Sequence, residues 1–188
     1  MQQHDDPPTL PDLLRPGLRL VFIGINPGLY SARRGHYFAR TTNRFWPALS
    51  RSVLSLSVRT ALGFDRLGPE HDAVLPDFGF GFTDLAKRPT SNAGGLRPVE
   101  FMEGAQALCE RLRACQPLTA CFHGVTAFRP FLRHALAVEE RGLALGEQPW
   151  SVGNTRLFMV PNPSPANAHF TLAAQVAWYD ALADLLER

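Results

Sequence analysis

Lysine is almost absent from this chain: Lys87 stands alone, and the other 18 of its 19 basic residues are arginines. A P-loop, which needs Gly-Lys-Ser/Thr, is thereby excluded, and lysine Schiff-base chemistry has one side chain open to it. Cysteine is nearly as scarce. Cys109, Cys115 and Cys121 are odd in number and form no CxxC pair, which predicts reduced thiols in a packed interior. The six histidines show neither HExxH nor another metal-ligand spacing, so no metal or other cofactor is expected. Glycine (15) and proline (16) fall short of collagen-like or disordered composition. Seventeen acids against 19 bases give +2, and that total argues for neither a polyanion nor a membrane partner. Long apolar runs are missing too. Leu157 to Tyr179 has no Asp, Glu, Lys or Arg for 23 residues, but Pro161, Pro163 and Pro165 interrupt it, with Asn162, Asn167 and His169 among them. The start, MQQHDDPPTLPDLL, is acidic and Pro-rich rather than basic and apolar, unlike a secretory leader. A soluble, cytoplasmic monomer is the expectation.

What is present suits one ordinary core. The 188 residues are 45% apolar, enough for a single domain. Residues 1–17 read as a loose Pro-rich lead-in and 18–188 as the domain. Apolar, β-branched runs predict strands over Leu18–Ile25, Leu118–Phe122 and Arg156–Val160, with a Gly-interrupted strand over Phe78–Leu85. Helical spacing predicts helices over Phe45–Leu56, Pro98–Cys115, Thr126–Leu136 and Thr171–Leu186, the last N-capped near Thr171. Asp180, Asp184 and Glu187 read as that helix's solvated face. Strands alternating with helices predict a mostly parallel sheet covered on both faces, whose ligands bind where loops leave the C-terminal strand ends.

Two such loops echo each other. The first strand exits through Gly24-Ile25-Asn26-Pro27-Gly28 and the last through Val160-Pro161-Asn162-Pro163-Ser164-Pro165. Asn-Pro after a strand is often only a turn. On parallel strands, though, both loops open on the same sheet edge. An asparagine amide there donates and accepts at once, which suits a pyrimidine's hydrogen-bonding edge or a held water, and Gly24 and Gly28 let backbone approach a ligand. Ser31–Trp46 carries Arg33, Arg34, Arg40, Arg44 and His36 without one acid, interleaved with Tyr37, Phe38, Phe45 and Trp46. Charge for phosphate and a π-face for a base are what a single-stranded or flipped nucleotide needs; the same segment also reads as a solvated face over core aromatics.

GINPG at 24–28, NRFW at 43–46, GFTDLAKRPT at 81–90 and NPSPANAHF at 162–170 resemble the mismatch-specific uracil/thymine-DNA glycosylase family (MUG/TDG) of the uracil-DNA glycosylase superfamily. The likeness runs from about residue 18 to the end. It implies a three-layer α/β/α fold with a short central sheet, and a monofunctional enzyme of base excision repair. Such an enzyme flips uracil from a G:U mismatch in double-stranded DNA and hydrolyses its N-glycosidic bond, using water and no metal. By the same resemblance Asn26 positions the water, and Phe38 stacks on the extruded base. Gly24, Ile25, Ser31 and Asn43 shape the pocket. The loop with Asn162, Ser164, Pro165, Ala166, Asn167 and His169 grips the backbone and fills the gap. The superfamily's iron–sulfur members need four cysteines, and this chain has three.

Departures from the family pattern sharpen the expectations. Asn26 and Asn162 are neutral amides where the wider superfamily often has Asp and His, which predicts slower chemistry. Asn167 is the expected inserter, at a position where relatives place a bulky aliphatic or an arginine. Asp84 falls where relatives commonly carry Asn or Lys. It can orient water or stabilise an oxocarbenium-like sugar, or else cap a helix or pair with Lys87 or Arg88. Lys87 reads as a phosphate contact, and His169 as a phosphate contact or a structural residue. Ser164 has no GxSxG around it and is no hydrolase nucleophile. Two other classes remain: a non-catalytic binder of mismatched or damaged DNA, and a hydrolase of free nucleosides.

Overall fold

Alternate residues of the first strand, β1 (Leu20–Gly24), face opposite ways, and both ways lead into core. Leu20 and Phe22 join one apolar cluster, while Val21 and Ile23 join another. A strand buried on both faces must be apolar at every position, which is why it is legible as a continuous run. The computed structural model describes residues 8–188. β1 lies between β2 (Phe80–Asp84) and β3 (Thr119–His123). Beyond β3 come β5 (Thr155–Val160) and, at the edge, the antiparallel β4 (Gly146–Val152); the other strands run parallel.

Six α-helices complete the layers: α1 (Leu29–Arg34), α2 (Phe45–Arg51), α3 (Leu56–Leu62), α4 (Pro98–Cys115), α5 (Val125–Ala135) and α6 (Leu172–Leu186). α4 and α5 cover the face holding Val21, Ile23 and Phe122, and α2 and α6 cover the face holding Phe22, Phe82 and Val160. The expected α/β/α architecture with a short, mostly parallel sheet is the one observed. Cys109, Cys115 and Cys121 are free and buried.

Sequence and structure part company at four places. The helix expected over Phe45–Leu56 stops at Arg51, because Ser52 is extended and turns its hydroxyl to Leu54 N. Asp180, expected on a solvated face, accepts from Ser52 Oγ (2.6 Å) and Val53 N (2.9 Å) and so fastens that break to α6. β4 escaped notice because GEQPWSV carries Pro149 and no apolar run, and proline is tolerated only on such an edge, where the register shifts between Glu147 and Ser151. Finally, of the lead-in expected to be loose, residues 1–7 lie outside the described residues, while Leu10 is buried and Leu13 and Leu14 are half-buried against the domain. Leu13 exchanges backbone hydrogen bonds with Phe82 at 2.9 and 3.1 Å, so this strap closes the β2 edge. Gly81 admits it, since a Cβ there would sit 2.6 Å from Leu13 O.

Leu10 is 2% exposed and belongs to the core beside Phe82. Leu10→Ala is therefore expected to cost about 2–5 kcal/mol in denaturant unfolding. A loss under about 1 kcal/mol would show that the strap lies outside the cooperative unit.

Candidate active site

The C-terminal ends of β1, β2, β3 and β5 place Gly24, Asp84, His123 and Asn162 along one edge of the sheet. Here β1 sends its chain to β2 on one side while β3 lies on the other, a switch point of the kind where α/β sheets hold ligands. The loops leaving β1 and β2 stay zipped together. Leu85 N donates to Gly24 O, Ala86 N to Ile25 O, Thr90 N to Pro27 O and Leu29 N to Thr90 O. Asn26 sits within this zipper, half-buried. Its Nδ2 donates to Arg88 O (2.8 Å) and Thr90 Oγ1 (2.7 Å), which fixes the amide plane and leaves Oδ1 as its acceptor.

Asp84 ends β2 across the ladder from β1, paired in register with Gly24, two residues before Asn26. This aspartate is 3% exposed, and its Oδ2 is buried with no hydrogen-bond partner among the described residues. Neither structural alternative for this carboxylate is realised: Lys87 pairs with Asp12 at 2.8 Å, Arg88 pairs with Glu100 at 2.7 Å, and the next α-helix begins only at Pro98. Burial pushes the Asp84 carboxyl up to about 7; Lys87 pulls against this, Asp12 adds to it, and Arg111 opposes it. An unpaired buried carboxyl costs stability, which marks it as held for another purpose.

Gly24 is the floor between Asp84 and Phe38. A Cβ on Gly24 would collide with Asp84 Oδ1 and meet Phe38 Cζ at 3.8 Å, so carboxyl and ring edge converge on one point that only glycine leaves open. Phe38 itself holds a left-handed backbone (φ 52°), costly for an aromatic residue. Its neighbours enforce it: Tyr37 N donates to Asp72 Oδ2 (2.8 Å), Ala39 N to Ser31 Oγ (3.0 Å), and Trp46 Nε1 to Tyr37 O (2.9 Å). Phe45 stacks on one face of the Phe38 ring at 4.2 Å, and the residue stays half-buried. Ser31 therefore serves the site by tethering the strained segment. Ile25, expected to shape the pocket, packs its side chain with the α4–α5 face, as alternation after Gly24 requires, while its carbonyl joins the loop zipper. Asn43 spends Oδ1 on Phe45 N (2.9 Å) at the start of α2.

Two participants were not anticipated. His123, fully buried, ends β3 with its ring 5.1 Å from Phe38. Nδ1 faces Ile23 O and Nε2 faces Tyr179 Oη, and burial lowers its pKa to about 4, keeping the ring neutral. Its signal in the sequence was only its position at a strand end. Asp12 is the other. It accepts from Thr83 Oγ1 (2.6 Å) and Lys87 Nζ (2.8 Å), which engages the lysine expected to meet phosphate.

The second Asn-Pro loop is tied to the first motif's segment. Arg44 donates from Nη2 to Ser164 O (2.8 Å) and Asn167 O (2.6 Å), and its amide donates to Pro163 O. Asn162 Oδ1 accepts from Ser164 N, while Asn167, the expected inserter, folds its Nδ2 back onto Asn162 O (3.1 Å). Pro165, Ala166, Ala168 and His169 are exposed at the tip. On the other side of segment 36–43, a cleft of about 570 Å³ is lined by Arg34, Arg40, Arg51 and Arg66 around Trp46; it includes neither Asn26 nor Asp84.

Residues 11–186 match the uracil DNA glycosylase superfamily. The chain belongs to that superfamily. Its fold is also that of a Methanosarcina acetivorans protein provisionally named a uracil DNA glycosylase, known from a solution NMR structure. The TM-score is 0.56 at 21% identity, over 97% of this chain and 99% of that one. Within this superfamily fold no described helix is long and apolar enough to cross a membrane, and no described group of His, Cys, Asp and Glu has the makings of a metal site. The match from residue 11 takes in the strap that carries Asp12.

Raising a carboxyl from 3.8 to about 7 makes stability fall as pH climbs between those values, because the unfolded chain ionises first. Asp84→Asn removes that cost. The variant is expected to exceed the wild type by up to roughly 4 kcal/mol at pH 8 and to show no such gain at pH 4. Denaturant unfolding at both pH values is the measurement; the same difference at each would mean that no ionisation cost is stored at this position.

Proposed function

We propose that the protein is a monofunctional, mismatch-directed uracil-DNA glycosylase of the MUG/TDG type. It flips uracil out of double-stranded DNA, from G:U mismatches above all, and cleaves the glycosidic bond to leave an abasic site for base excision repair. The observation that carries this reading is the convergence over Gly24 of the unpaired Asp84 carboxyl and the Phe38 ring, with the Asn26 amide locked by the β1–β2 loop zipper. GINPG with asparagine at both 26 and 162 supports the subfamily.

In the reaction the base lies against Phe38, backed by Phe45. The N1–C1′ bond breaks with its electron pair leaving on the uracil, and C1′ gains oxocarbenium character. Water held by Asn26 Oδ1 then bonds to C1′ and passes a proton to the Asp84 carboxylate. A carboxyl near 7 is about half ionised at neutral pH, which suits a base at that pH. When ionised, it also sets a negative charge beside the developing cation. Flipping costs a few kcal/mol, less at a mismatch, so the opposite base contributes to selectivity. Gly28 and the tip residues Pro165, Ala166 and His169 face the backbone, with Asn162 and Ser164 shaping that loop. Asn167 fills the vacated space after releasing Asn162 O. Arg34, Arg40, Arg51 and Arg66 supply phosphate contacts; among the described residues none of the four forms an ion pair.

Single-turnover release from duplexes carrying uracil opposite G, opposite A and in single strand tests the reading. Asn26→Ala and Asp84→Ala are each expected to lower the rate at least 100-fold while binding changes little. Arg40→Gln should weaken binding to all sequences alike and reduce the salt slope by about one. No release from any substrate by the wild type would favour the second class, a damaged-DNA binder, and salt-independent cleavage of free nucleosides would favour the third.

A further inference from the structure

Two cations act on the buried Asp84 carboxyl, yet among the described residues neither forms an ion pair with it. Lys87 is three residues along the same loop and Arg111 reaches in from α4. A dry carboxylate beside an ammonium and a guanidinium would ordinarily capture one of them. Both are instead turned toward the strap that precedes β1. Lys87 Nζ donates to Asp12 Oδ1 at 2.8 Å, and Arg111 Nε lies 3.5 Å from Asp12 Oδ2. Arg111 does touch Asp84, but at the backbone: Nη2 donates to Asp84 O at 2.9 Å.

We propose that Asp12 is a positioning residue for Asp84, holding Lys87 and Arg111 off the carboxyl so that it stays without a counter-ion in the pocket. The inference rests on the catalytic reading of Asp84. Asp12 is itself held from several sides. Thr83 Oγ1, next to Asp84 on β2, donates to it at 2.6 Å. On either side of it the strap is fastened by Tyr37 Oη donating to Pro11 O (2.9 Å) and by the Leu13–Phe82 bridge, and Thr9 Oγ1 donates to Lys87 O. Gly81 gives the strap the clearance to lie this close. The ion pair is part-exposed, 31% and 28% for the two side chains, so its own contribution to stability is small; its effect is on where the two cations point.

Among the described residues the charged and titratable groups around Asp84 are Asp12 from the strap, Lys87 from its own loop, Arg111 from α4, Tyr37, whose buried phenol stays un-ionised, and, across the Phe38 ring, the neutral His123 of β3. Removing the Asp12 charge therefore has a readable sign. It takes away one acid that disfavours ionisation and frees two bases that favour it.

The test is the ¹³C-carboxyl titration of Asp84 by NMR, alongside the pH dependence of single-turnover uracil release, in wild type, Asp12→Asn and Asp12→Glu. Asp12→Asn keeps size and an acceptor for Thr83 but not the charge. Its Asp84 midpoint is expected to fall by about 1–3 pH units, as for a carboxylate gaining a close cation, and the rate profile to follow it. Asp12→Glu keeps the charge and is expected to stay near the wild-type midpoint, and Asp12→Ser, which also removes the charge, is expected to lower the midpoint and is read if the Asn variant does not fold. An Asp84 midpoint unmoved in Asp12→Asn, or moved as far in Asp12→Glu, overturns the proposal whatever happens to thermal stability. A midpoint that moves while the rate profile stays in place upholds the positioning role and instead removes Asp84 from the chemistry.

Discussion

A buried carboxyl group without a counter-ion among the described residues is the constraint around which the site is organised. Three features make it tolerable and usable. Gly24 surrenders its side chain so that Asp84 can lie over β1. Asp12 occupies the cations that would otherwise quench it. The parallel ladder between β1 and β2, continued by the loops beyond, keeps Asn26 in place. Each feature costs something locally: a glycine inside a strand, an unmet acceptor, and a tyrosine and a lysine engaged by an N-terminal strap. The large two-sided core carries the stability that lets the site be frustrated in this way.

The Phe38 segment follows the same logic from the other flank. A left-handed backbone is unfavourable for a phenylalanine, and it persists because Asp72, Ser31 and Trp46 bind the backbone of its two neighbours. Strain spent in this way presents a flat ring, stiffened from behind by Phe45, rather than a mobile one. Neutral His123, bridged between Ile23 O and Tyr179 Oη, fills the space beneath with a polar group whose hydrogen bonds are all internal.

Much of this was legible in the residues. Buried parallel strands are apolar throughout, so Leu20–Gly24, Thr119–His123 and Thr155–Val160 stood out, and Thr171 is the cap of α6, accepting from Ala174 N. GINPG and NPSP announced two loops on one edge because an interrupted apolar run has few other readings. Other features were hidden for physical reasons. An edge strand with a proline has no period to detect, as at Gly146–Val152. The strap's contribution depends on contacts across some seventy residues, Asp12 to Thr83 and Lys87, and no local pattern encodes them. The partners of Asp84 were ambiguous in sequence because Lys87 and Arg88 lie so near it; only the fold shows each bound elsewhere. The face that Ile25 takes follows from one step of alternation after Gly24, which turns its side chain to the α4–α5 cluster.

The Arg44 bridge has a mechanical corollary. One guanidinium holds the carbonyls of Ser164 and Asn167, and the residue after it, Phe45, begins α2 and backs the Phe38 ring. The loop tip and the aromatic plate are thus held in one hydrogen-bonded unit, to which the Arg44 amide adds a bond to Pro163 O. Without that guanidinium the carbonyls of Ser164 and Asn167 lose their shared donor, and the tip and the plate lose a common anchor.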